Sequence, residues 1–175
     1  MGPRPVTGTA EIEAALTSLP DVLGALLAPV DGAALRERPE PGEWCVLEVI
    51  GHLIACDGDA FRDRIVAIAR ADGRIAPFRP WDAINARDFA AEPLADLLDE
   101  LRSEREASVR LLRSLTPSEL VAVGTFADGR RFTAGDFVAE WPYHDRDHLQ
   151  QILENLKLRQ LPHMTETMRA ALTAT

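Results

Sequence analysis

Apolar residues recur every three or four positions along four long stretches of this 175-residue chain, and that period belongs to helices packed on one face. The first stretch, Thr9 to Pro29, carries Ile12, Leu16, Leu19, Leu23, Leu26 and Leu27, with Pro20 as a potential kink. The second, about Cys45 to Ala71, carries Val46, Val49, Ile50, Leu53, Ala60, Ala67 and Ile68. A third follows Pro93 through Leu94, Leu97, Leu98, Leu101, Leu111, Leu112 and Leu115 and stops at Pro117. The fourth is capped by Thr133 with Asp136 and runs to about Leu158.

Between the second and third stretches lie some 20 residues, Gly73 to Glu92, interrupted by Pro77 and Pro80. A segment that long is unusual inside a compact domain. In a bundle it suits a crossover that lets two successive helices run parallel. TFADGRRFT places a turn at Asp128-Gly129 between short extended pieces, a small hairpin that is marginal by itself. No convincing larger sheet is visible. The expected fold is all-α, a four-helix bundle forming one domain over 1–175, with residues 1–8 as a loose arm and 159–175 as a tail holding one more short helix.

Net charge is −9 and no Lys/Arg-rich run occurs, which disfavours nucleic acid and anionic membranes as partners. No stretch of 18 apolar residues occurs, and MGPRPVTGT lacks a signal-type apolar segment, so a soluble, cytoplasmic protein is expected. Cys45 and Cys56, placed on one helix, stand roughly 16 Å apart. A disulfide needs about 7 Å, so they cannot pair with each other there, in keeping with a reducing compartment.

The chain has four histidines, and two of them, His144 and His148, sit one helical turn apart. That spacing lets two imidazoles reach one metal, although such pairs are also common on plain surfaces. At 100° per residue both lie at the border of the apolar stripe formed by Val138, Trp141, Leu149, Ile152 and Leu156. His52 occupies the same border on the second helix. A lone histidine there is ordinarily a hydrogen-bonded structural residue. Two helices that each offer imidazole at a core border point instead to a shared ion. Three neutral imidazoles suit zinc, nickel, iron or copper, and three protein ligands leave a coordination position open, as in catalytic sites. Water held there is acidified, and a thiol held there ionises.

Asp57 and Asp145 fall inside apolar stripes and need partners. Arg64 is the expected one, as a structural ion pair or as a means of orienting a ligand imidazole. Glu140 and Glu48 each precede a histidine by one turn and are candidate general bases, against the plainer reading of solvated helix residues. Pro142 frees the carbonyl of Val138 and can bend the helix. Cys56, one turn from His52, reads as a small buried residue rather than a fourth ligand. His163 carries no expected chemistry.

GEWCVLEVIGHLIACDGDAFRDRI resembles the second helix of the DinB-like (DinB/YfiT) superfamily, whose members open it with Trp and place a histidine about eight residues later. WPYHDRDHLQQI resembles that family's fourth helix, with two histidines spaced by three residues. The likeness spans about Thr9 to Leu158. It implies an up-down-down-up bundle, homodimers, and a divalent metal held by His52, His144 and His148. Zinc and nickel are the first expectations, iron and manganese the next. It also implies a small-molecule substrate. The activities implied are transfer to or from a low-molecular-weight thiol of the bacillithiol or mycothiol type, or metal-dependent hydrolysis. A non-enzymatic metal-binding or stress-related role is the third reading.

Overall fold

The computed structural model describes residues 9–173, and the N-terminal arm lies outside them. The chain is mostly helical. Helix α1 (Thr9–Leu27) buries Ile12, Leu16, Leu19, Leu23 and Leu27, the spacing that one helical face demands. Pro20 is buried within it without ending it. The second stretch is continuous but not uniform. It comprises α2 (Val46–Ala55), a π-helical segment (Cys56–Arg62) and α3 (Asp63–Arg70). Buried pairs fall at Cys56-Asp57 and Ala60-Phe61, and the wider π turn brings both members of each pair inward. An ordinary amphipathic period does not encode such a bulge.

The crossover is more ordered than its prolines suggest. It holds β1 (Arg74–Ile75), α4 (Pro80–Asn85) and a 3₁₀ turn at Phe89–Ala91. The Phe89 ring packs against Gly51 of α2 so closely that a Cβ there would lie 2.3–2.5 Å from three ring atoms. Helix α5 (Leu94–Ser114) and the short α6 (Pro117–Leu120) follow. The sheet exceeds the expected hairpin. β2 (Val123–Phe126) pairs antiparallel with β3 (Arg131–Thr133) across Asp128-Gly129, where Gly129 has φ +88°. β1 adds in parallel beside β2, which gives a partner to a pairing too small to stand alone.

Helix α7 (Ala134–Leu158) starts on a capping box in which Thr133 Oγ1 accepts from the Asp136 amide and Asp136 accepts from the Thr133 amide. A short α8 (Glu166–Thr173) lies in the tail, as expected. Helix α1 packs on α5 and α7, and the second stretch packs on the same two helices. One apolar cluster joins α1, α2, α5 and α7 around Trp44, Leu53 and Ile152. Another joins α1, the π segment, α3 and α7 around Phe61, Ile65 and Trp141. No helix among the described residues is long and apolar enough to cross a membrane.

Candidate metal centre

His52 lies in the last turn of α2, and Cys56 opens the π segment one turn later. Across from them, α7 presents His144 and His148. The three imidazoles form a triangle, with ring centroids 5.2 Å apart for His52–His144 and 4.4 Å for His148 to each of the others. His52 Nε2 faces His144 Nε2 at 3.2 Å, and Cys56 Sγ lies 3.3 Å from the same His52 nitrogen. The donor atoms of His52, Cys56 and His144 all lie within 4.8 Å of one another. His148 Nδ1 lies 2.9 Å from Gln151 Oε1. An amide oxygen can only accept, so Nδ1 carries the proton and Nε2 keeps its lone pair.

These distances fit a bound cation. Two nitrogens at about 2.0–2.1 Å from one zinc ion stand roughly 3.0–3.4 Å apart at angles near 90–110°. The protonation states fit as well. Burial, aided by repulsion among the imidazoles, lowers His52 and His144 to about 3, and burial lowers His148 in the same direction. All three are therefore neutral near pH 7, the form that ligates metal. Burial pushes the Cys56 thiol well above its ordinary range, so without a cation it stays protonated.

Without metal the cluster makes the fold acid-sensitive. In the unfolded chain the histidines protonate near 6.5, whereas His52 and His144 do so near 3 when folded. Their stabilising contribution is complete above about pH 6.5 and drains as pH falls toward 3. Asp57 and Asp145 act oppositely. Asp57, raised to about 6 by burial against the pull of Arg105, holds a proton between about 4 and 6 that the unfolded chain has released. Asp145 is raised for the same reason. The fall of His52 and His144 from 6.5 to about 3 exceeds the rise of Asp57 from 3.8 to about 6. The urea midpoint of metal-free protein is expected to drop between pH 7 and pH 5, and His52→Asn with His144→Asn should abolish most of that drop.

The two buried aspartates do meet an arginine, but it is Arg105 of α5. Arg64 is turned away, donating from Nε to the Ala76 carbonyl at 3.4 Å and lying over the Phe126 and Phe137 rings. Arg105, 2% exposed, donates from both terminal nitrogens to Asp145 at 2.8 Å. Its Nε stands 3.3 Å from Asp57 Oδ2, a charge contact without hydrogen-bond alignment. Asp57 also accepts from Trp141 Nε1 at 3.0 Å and from Ser108 Oγ at 3.4 Å. Trp141 in turn stacks on Phe61, whose ring meets His144 edge-on at 5.3 Å. The ion pair thus ties together the two helices that carry the imidazoles. A signal for it existed: Arg105 stands four residues after Leu101, on the apolar face of α5. The π segment turns Arg64 aside, because its extra residue per turn rotates everything after it.

The candidate bases differ in placement. Glu48 is buried and engaged, accepting from the Cys45 amide at 2.8 Å and pairing with Arg38. Glu140 is exposed on α7, and partial burial of its carboxyl raises its pKa against the opposing charge of Arg64. His163 is exposed in a 3₁₀ turn. Cys45 and Cys56 are both free, as their helical separation requires.

A helical protein in which a buried imidazole of one helix faces two half-buried ones of another, all neutral, is a candidate metal-binding bundle. The chain belongs to the DinB superfamily, whose family model matches residues 15–152. The fold is similar to that of YfiT from Bacillus subtilis, a probable metal-dependent hydrolase with an unusual four-helix bundle topology. The TM-score is 0.77 at 18% identity, over 90% of this chain and 92% of that one. It is also similar to a mycothiol-dependent maleylpyruvate isomerase, with a TM-score of 0.62 at 14% identity, over 81% of this chain and 59% of that one. At such identities the likeness concerns the fold alone. No curated protein matches the sequence.

Proposed function

We propose that the protein is a metal-dependent transferase that uses a low-molecular-weight thiol of the bacillithiol or mycothiol type. The observation that carries this reading is the 3.2 Å approach of two neutral imidazole nitrogens from separate helices, one ring buried and the other half-buried. His52, His144 and His148 would hold a divalent transition ion, zinc or nickel before iron or manganese, with Cys56 as a neighbouring donor on the His52 side. When bound, the ion supplies Lewis acidity that makes a thiol or a water molecule beside it more acidic. Gln151 sets the tautomer and aim of His148. Glu140 is the candidate acceptor for the released proton. Glu48 would serve to cap its helix. The helix order is up-down-down-up, which the length of the crossover supports.

The fold-level likeness to a mycothiol-dependent isomerase favours the thiol reading. The likeness to YfiT favours a second one, hydrolysis of a small substrate. Metal-loaded protein assayed with bacillithiol, mycothiol and glutathione against a model electrophile separates them. The first reading expects turnover that requires both thiol and metal. Turnover of ester or amide substrates without thiol would establish the second and remove the first.

A further inference from the structure

Trp44 precedes α2 and is 8% exposed, yet its indole N–H is buried without a hydrogen-bond partner among the described residues. Trp141, fully buried, gives its N–H to Asp57. A phenylalanine would fill the Trp44 site without stranding a donor, and buried indoles ordinarily reach an acceptor. The residue itself is well anchored, since Asn155 Nδ2 donates to its carbonyl at 2.9 Å. Its ring neighbours are members of the metal cluster and one surface aromatic. They are His52 at 4.7 Å, His148 at 6.3 Å and Trp81 at 5.0 Å between centroids. Trp81 comes from α4 in the crossover and is 47% exposed. Phe78, just before it, lies 6.2 Å from the His52 ring. Trp44 and the crossover's Phe78 therefore form an aromatic wall against the imidazoles, which Trp81 extends beyond Trp44, with one unanswered donor in it.

We propose that Trp44 and Trp81 form a substrate-recognition site beside the imidazole cluster. It takes an organic ligand whose carboxylate or carbonyl oxygen accepts from the Trp44 indole N–H while its body lies against the Trp81 ring. The inference rests on the reading that the imidazoles hold the metal at which the ligand's reacting atom sits. The acceptor oxygen gives up water but displaces no existing partner of Trp44, so the exchange favours the complex. A ligand lacking the oxygen leaves the donor stranded. This makes Trp44 a discriminator as well as a contact.

The indole ¹H–¹⁵N signals of zinc-loaded protein test this directly, with the Trp44 signal assigned from Trp44→Phe. The probes are mercaptoacetate, mercaptoacetamide and ethanethiol, which share a thiol but offer a carboxylate, a carbonyl or no acceptor. The expected result is a downfield move of the Trp44 indole proton with mercaptoacetate or mercaptoacetamide and none with ethanethiol. Which of the two moves it identifies the oxygen. In Trp44→Phe the preference for that thiol over ethanethiol should shrink about tenfold. If ethanethiol binds and neither acceptor-bearing thiol moves the Trp44 signal, the inference is overturned and the thiol reading stands. If no thiol binds, the thiol reading falls, and acetate and acetamide then decide. Movement of the Trp44 signal by either supports the recognition site, and its absence overturns it.

Discussion

Arg105→Met is expected to destabilise the fold by about 3–5 kcal/mol, the range seen when one partner of a buried ion pair is removed. Asp57 and Asp145 are 0% and 5% exposed, and Arg105 is the arginine that lies between them. Methionine matches the stem of arginine but leaves two carboxyls with no cation in a region water does not reach. Against a total stability of about 5–15 kcal/mol, that loss is a large fraction. It should be smaller in mild acid, where both carboxyls take up protons, and it should be partly recovered by adding Asp57→Asn and Asp145→Asn. Urea denaturation of metal-free protein at pH 7 and pH 5 measures both effects. A loss below about 1 kcal/mol at pH 7 would mean that the charges are solvated in a way the packing contradicts.

His52→Ala combined with His144→Ala is expected to abolish metal-dependent stabilisation. An ion held a thousandfold above its dissociation constant adds about 4 kcal/mol to a protein that binds it only when folded. For a chain of this size that corresponds to roughly 8–16 °C in Tm. The double variant should melt at the same temperature with or without zinc or nickel, and untagged protein should purify without stoichiometric metal by elemental analysis. Retention of a full metal-induced shift would place the ion elsewhere and remove the basis for the transferase reading. The variant should nonetheless fold. Its apolar clusters lie to either side of the imidazoles, and the Asp57–Arg105–Asp145 contacts do not pass through them.

Reading helices from this sequence succeeds where burial is one-sided. Helix α1 places Ile12, Leu16, Leu19, Leu23 and Leu27 at helical spacing, and those side chains are buried. The capping box at Thr133 and the end of α7 at Leu158 were equally legible, because caps are local chemistry. So was the meeting of His144 and His148, which one turn of helix dictates. The crossover was legible only as a length. Its strand β1 spans two residues and exists because β2 lies alongside, a pairing that no local pattern announces.

What the sequence determined by itself was therefore the helical architecture and the pair of imidazoles on α7, since both follow from periods of three and four residues. The border position of His52 already pointed to a shared site, whereas the tertiary structure alone decided that Arg105 rather than Arg64 answers the two aspartates and that Trp44, with Trp81 beside it, stands against the cluster. Each of these depends on how one helix is rotated against another. The π segment resets that rotation in mid-helix, carrying Arg64 away from Asp57 while Cys56 stays beside His52. A shift of hydrogen bonding by one residue changes which side chains share a face, and it is recorded in packing, not in the spacing of apolar residues.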